Sequence, residues 1–189
     1  MLTTLPNLLT LSRIILIPLM IALMYIDTPT NRWIAWGIFT LACVTDWLDG
    51  YLARNMNDES SLGRFLDPIA DKLLIASVII MLTAVGRISE LVVIPAIIIM
   101  CRELLVSGLR EYLAEIKVAM PVSKLAKWKT VIQMIALGTL IVGDAGPASW
   151  PVQQAGEWGL WIAGALTVIT GYDYMASGLK HMMKSHPKA

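Results

Sequence analysis

The chain has 189 residues, 57% hydrophobic and 15% charged, with a formal net charge of +1, and its mean hydropathy is +0.67. That composition excludes a water-soluble globular domain, and the near-zero charge excludes a nucleic-acid surface built on surplus lysine and arginine. The expected fold is an all-α integral membrane bundle of six transmembrane helices, one domain over residues 1–189, because no polar stretch is long enough to build a second core.

Residues 1–25 are the first apolar stretch. No Lys or Arg precedes Arg13 and no small-residue cleavage site is evident, so the stretch reads as an uncleaved first span with a short amphipathic lead-in at Pro6 and Asn7. Asn7, Thr10 and Arg13, spaced by three, form one polar edge. Two readings stand for that edge: a helix end reaching to the membrane interface, or a face turned toward a polar site inside the bundle. A loop over 27–32, with Pro29, precedes a second helix over 33–54.

The second helix carries Asp46, Asp49, Gly50 and Ala53 at i, i+3, i+4 and i+7, which puts two acids and two small residues on one face. After a loop over 55–61, in which Asp58 or Ser60 is placed to cap a helix, the third helix carries Asp67 and Asp71 one turn apart, with Gly63 on their face if it starts near Ser60. Pro68 predicts a kink there. Four clustered carboxylates repel one another in a dehydrated setting unless a cation neutralises them. Neither Cys nor His accompanies them, and an all-oxygen donor set suits Mg²⁺ or Mn²⁺ rather than zinc. Each glycine on that face costs about 1 kcal/mol of helix stability against Ala, which is tolerable where a bulky group must approach the backbone. With Arg54 at the mouth, a nucleotide diphosphate fits the description.

The third helix continues as an apolar run to 85, and a fourth covers 91–114. Arg102, Glu103, Arg110 and Glu111 all fall within the fourth, either as structural Arg/Glu bridges or with the arginines facing a cavity that holds an anionic substrate. Lys117, Lys124, Lys127 and Lys129, interrupted by Pro121, read as a basic connection to a fifth helix over 130–142. A loop over 143–157 leads to the sixth helix over 158–179, where the lone Asp173 reads as a packing contact. Gly159, Ala163 and Gly164 permit close helix packing, within the subunit or between subunits. Cys43 and Cys101 read as buried free thiols, and His181 and His186 as solvated tail residues.

Six spans place both termini on one side. That side then holds nine lysines and arginines against two, Arg32 and Arg87, on the other. The bias puts both termini in the cytoplasm and turns the acidic motif toward it. Acids and bases within helices also occur in cation transporters, but these acids gather at one face instead of forming a path across the bilayer.

The pattern Asp-x2-Asp-Gly-x2-Ala-Arg-x8-Gly-x3-Asp-x3-Asp, from Asp46 to Asp71, resembles the signature of the CDP-alcohol phosphatidyltransferases, with all eight defining positions present. Pro6, Asn7, Thr10 and Arg13 near the start, Arg102, Glu103, Ser107, Gly108, Leu109 and Arg110 in the middle, and Lys127, Lys129 and Thr130 extend the resemblance to about three quarters of the chain. These segments are most similar to bacterial members of that family that use sn-glycerol 3-phosphate. The resemblance implies a membrane enzyme that holds CDP-diacylglycerol through two Mg²⁺ or Mn²⁺ ions on Asp46, Asp49, Asp67 and Asp71. It further implies Asp71 as general base, and Asn7, Thr10, Gly50, Ala53, Arg54 and Gly63 around the CDP-lipid. Arg102, Arg110, Lys127 and Lys129 are the charges available for the glycerol phosphate. Inositol phosphate, serine and phosphatidylglycerol remain alternative acceptors, since the signature is shared. A homodimer in the bacterial inner (plasma) membrane is also implied by resemblance.

Overall fold

The computed structural model describes residues 5–56, 61–116, 118 and 123–185, and within those the side chains of all but 5–7, 47, 49–56, 61, 62, 64 and 181–185. Among the described residues there are six long helices and no strand: α1 (Leu5–Ile26), α2 (Pro29–Met56), α3 (Ser61–Ala84), α4 (Val93–Glu115), α5 (Lys124–Val142) and α6 (Val152–Ser185). Single 3₁₀ turns lie at Glu90–Val92 and Gly143–Ala145.

The number of long helices agrees with the sequence reading, but three of the helices are longer than expected. α2 starts at Pro29 because Thr28 Oγ1 accepts the Asn31 N–H at 3.2 Å, and proline at the first helical position gives up an N–H that has no helical partner anyway. α5 starts at Lys124 because Ser123 Oγ accepts the Ala126 N–H at 3.1 Å, while the Ser123 N–H donates to the Tyr174 hydroxyl at 3.2 Å. Lys124, Lys127 and Lys129 are therefore helical and not part of a connector. α6 extends beyond 158–179 at both ends, with Pro151 just before its first turn and the Ala155 N–H bonded to the Pro151 carbonyl at 2.9 Å. α3 runs through Pro68, and Lys72 Nζ donates to the Pro68 carbonyl at 2.8 Å. Asp58, Ser60, Lys117, Pro121 and His186 lie outside the described residues, as does the side chain of His181.

α1 packs against α2 and α3, α5 against α2 and α6, and α4 chiefly against α6. The core is formed by Met20, Met24, Phe39, Val78, Leu82, Ile99, Leu137, Leu140 and Leu160, all buried. Close approach of α6 to its neighbours rests on glycines, Gly159 and Gly164 among them. A Cβ on Gly159 would stand 2.7 Å from Ala136 Cβ of α5, and one on Gly164 would stand 2.8 Å from Pro95 Cβ of α4. These small residues thus serve packing inside the subunit.

The outer surface is apolar: Ile15, Leu19, Ile80, Ile97, Leu105, Ile135 and Ile169 are exposed. So much exposed branched aliphatic surface is stable only against lipid. Leu8–Ile26, Glu90–Glu115 and Lys124–Ala145 are long and apolar enough to cross a bilayer, and the chain is a membrane protein. Cys43 and Cys101 are free, as expected, but Cys101 is exposed on this apolar exterior instead of buried. Asp173 is exposed on α6 and is not the packing contact its isolation suggested.

Polar groups gather at the two ends of the bundle. At one end Asp27, in the left-handed region at φ 51°, accepts from Arg32 Nε at 2.9 Å and pairs with buried Arg87. Arg32 also pairs with Asp144. Arg87 Nη1 donates to the Ile141 carbonyl at 2.6 Å, and Gln153 Nε2 donates to the Arg87 carbonyl at 2.5 Å. Burial lowers the pKa of the Arg87 guanidinium from its ordinary value, and Asp27 offsets that desolvation. The α1–α2, α3–α4 and α5–α6 turns are tied together by this one network.

Candidate active site

The opposite end is built from the first turns of α1 and α3 and the later turns of α2. Arg13, only 2% exposed, donates from one nitrogen, Nη1, to Asp46 Oδ1 at 2.5 Å and to Asp71 Oδ1 at 2.9 Å. Its Nη2 stands 4.0 Å from Asp67 Oδ1, which also accepts from Thr10 Oγ1. Thr10 and Arg13 of the polar edge of α1 therefore face the acidic site, the second of the two readings of that edge, while the side chain of Asn7 lies outside the described residues. The three carboxylates are 37–46% exposed while the guanidinium is not, so Arg13 sits behind them and their outer faces remain available. A buried cation in this place stabilises like charges that would otherwise repel.

On α4 and α5, Glu103 accepts from Lys129 Nζ and, at 3.4 Å, from Arg102 Nη1. Lys129 is 2% exposed. Arg102 Nη2 reaches Thr170 Oγ1 at 3.4 Å, and its guanidinium carbon lies 5.5 Å from the centre of the Tyr174 ring. The Arg102–Glu103 pair is thus a bridge of the kind expected for structural charges, yet it lies on a cavity wall.

A cavity of about 170 Å³ is bordered by Asp46, Asp71, Glu103, Lys129, Thr130 and Gln133. A second, of about 600 Å³, is bordered by Asp67, Asp71, Lys72, Arg102, Glu103 and Arg110. Asp71, Lys72 and Glu103 border both. Acids from α2 and α3 and bases from α4 and α5, distant in sequence, line these two cavities.

Of the residues expected at the site, Thr10, Asp46, Asp67, Asp71, Arg102, Arg110 and Lys129 come together there. Gly63 is buried at the start of α3. Lys127 is exposed on α5 and borders neither cavity. The side chains of Asn7, Asp49, Gly50, Ala53 and Arg54 lie outside the described residues. Lys72 and Gln133 were not expected. The available signal for Gln133 was its isolation in an apolar helix, one turn beyond Lys129.

The donor chemistry fits a hard divalent cation: half-exposed carboxylates and no thiolate or imidazole beside them. Among the described residues no three such groups are placed to share a metal ion; the side chain of Asp49, the fourth acid of the motif, lies outside them.

The sequence profile of the family described as CDP-alcohol phosphatidyltransferase matches residues 3–169. The chain is 49% identical over 177 residues to the CDP-diacylglycerol–glycerol-3-phosphate 3-phosphatidyltransferase of Rickettsia bellii (strain RML369-C), covering 94% of this chain and 96% of that one. The protein of the same name from Pseudomonas fluorescens is 38% identical over 181 residues, covering 94% and 91%. That from Cereibacter sphaeroides is 35% identical over 215 residues, covering 95% and 97%. With a family profile spanning most of its length and relatives this similar from end to end, the chain belongs to the CDP-alcohol phosphatidyltransferase family.

Proposed function

We propose that the protein transfers the phosphatidyl group of CDP-diacylglycerol to sn-glycerol 3-phosphate, giving phosphatidylglycerophosphate and CMP. The observation that carries this reading is Asp71 on the border of both cavities, one shared with Asp46 and Lys129 and the other with Asp67, Arg102 and Arg110. The names of the relatives supply the donor and the acceptor.

Asp46, Asp49, Asp67 and Asp71 hold the divalent ions, two in number by family resemblance and of the Mg²⁺ or Mn²⁺ type. When bound, such ions neutralise the diphosphate and draw charge from the phosphorus under attack. Arg13 keeps the inner oxygens of Asp46 and Asp71 in place from behind, so that the outer ones face the ligand. Asn7, Thr10, Gly50, Ala53, Arg54 and Gly63 surround the cytidine diphosphate. Arg102, Arg110 and Lys129 grip the acceptor's phosphate dianion, while Lys127 adds only to the positive field at this end of the bundle.

Asp71 takes the proton of the attacking hydroxyl. That oxygen bonds to the lipid-bearing phosphorus, the bond from that phosphorus to the CMP oxygen breaks, and the electron pair departs on CMP. The enzyme acts as a six-span homodimer in the inner membrane, with both termini and the site toward the cytoplasm.

Purified protein given radiolabelled CDP-diacylglycerol is expected to release CMP with sn-glycerol 3-phosphate, and only in the presence of Mg²⁺ or Mn²⁺. Inositol phosphate, serine or phosphatidylglycerol serving better as acceptor would overturn the assignment. Full turnover in EDTA would overturn the role given to the four aspartates.

A further inference from the structure

Gln133 is 2% exposed on α5, and its Oε1 is buried without a hydrogen-bond partner among the described residues. It borders the smaller cavity together with Asp46, Asp71 and Lys129. A buried amide oxygen left unpaired costs stability, and an apolar residue of similar size would avoid that cost in a helix otherwise made for lipid and core. An unpaired polar group on the wall of a reaction cavity is what a ligand's own polar group would satisfy.

The acceptor proposed above carries three polar features: a phosphate, an attacking hydroxyl and a second hydroxyl that remains free. Cations are at hand for the first and Asp71 for the second. For the third, the other polar side chains of the smaller cavity already have partners within the protein, Lys72 Nζ on the Pro68 carbonyl at 2.8 Å among them. Asp46 is held by Arg13, and Glu103 by Lys129 and Arg102. Thr130 Oγ1 already donates to the Ala126 carbonyl at 3.1 Å. Gln133 has capacity to spare, and a neutral amide can accept from a hydroxyl without repelling the nearby phosphate, which a carboxylate there would do.

We propose that Gln133 is a specificity-determining residue for the acceptor, hydrogen-bonding its free hydroxyl while Asp71 addresses the attacking one. The proposal rests on the reading of the acceptor as a glycerol phosphate. A site that hydrogen-bonds a substrate hydroxyl discriminates strongly against the analogue lacking it, because the site's polar group is then left unpaired.

The test compares sn-glycerol 3-phosphate with 3-hydroxypropyl phosphate, which lacks only the free hydroxyl, using full-length detergent-purified protein and CMP release. The wild type is expected to prefer glycerol phosphate by about ten- to a hundredfold in kcat/KM. In Gln133→Met and Gln133→Leu that preference falls to near unity, through loss of turnover with glycerol phosphate, while the KM for CDP-diacylglycerol stays as in the wild type. Both variants should melt at or above the wild-type temperature, since they remove an unpaired buried group. A wild type that does not discriminate, variants that keep the preference, or variants that both fail to fold would each overturn the role, the last by showing that the amide is used within the fold. A wild type that releases no CMP with glycerol phosphate overturns the acceptor reading itself; normal wild-type turnover with unchanged preference in the variants overturns only the role of Gln133.

Discussion

At the scale of single residues, one buried guanidinium serves as counter-charge to the acidic site. Arg13 lies 33 residues before Asp46 and 58 before Asp71, and its Nη1 contacts both. Removing one partner of a fully buried ion pair costs about 3–5 kcal/mol, whereas an exposed pair is worth at most about 1. With the arginine buried and its partners half-exposed, Arg13→Ala should cost an amount between those limits, measured as a lower melting temperature in detergent. Mn²⁺ should raise the melting temperature of Arg13→Ala more than that of the wild type, because in the variant the ion replaces the counter-charge that Arg13 gave these carboxylates. Equal increments would show that Arg13 does not serve as their counter-charge. Arg13→Lys should recover only part of the loss, as a shorter side chain with one nitrogen gives up the Nη2 that stands beside Asp67.

At the scale of elements, the far end of the bundle holds the helix pairs together through Arg87, which joins the α3–α4 turn to the last turn of α5 and to Asp27. Arg87→Leu would leave Asp27 with Arg32 alone and the Ile141 carbonyl without its donor. The expected cost is about 2–4 kcal/mol, from a buried network with one member removed. It should appear in thermal unfolding and not in the KM of either substrate, because the network lies at the opposite end from Asp71. A changed acceptor KM in folded Arg87→Leu protein would mean that the two ends are coupled. The starts of α2 and α5 teach a related lesson about elements. Pro29 and the lysines after Ser123 look like loop material by residue type, yet Thr28 and Ser123 are caps, and a cap turns the residues after it into the first turn of a helix.

At the scale of the whole molecule, polar ends and an apolar waist define an orientation that charge can test. In a background free of Cys43 and Cys101, a cysteine replacing Ala148, in the turn before α6, should react with an impermeant thiol reagent in intact cells. One replacing Lys124, at the start of α5, should be shielded. The reverse pattern would place the site on the side away from cytosolic glycerol phosphate and would overturn the proposed topology.

Several features were determined by the sequence alone, because they depend on local spacing and composition. The apolar stretches announce a helical membrane bundle, and the intervals between Asp46, Asp49, Asp67 and Asp71 place the acids on two helix faces whatever the rest of the chain does. Which charges meet was decided only by the tertiary structure. Glu103 could have paired with Arg110 on its own helix, but α5 brings Lys129 to it. Lys127 and Lys129 are indistinguishable by type and neighbourhood, and a helical rotation of about 200° exposes one and buries the other. Arg13 meets its carboxylates only once α1 packs on α2 and α3, and Gln133 borders a cavity only once α5 comes beside the residues of α2, α3 and α4 that line it with Gln133; spacing along the chain marks these polar residues but not what they face.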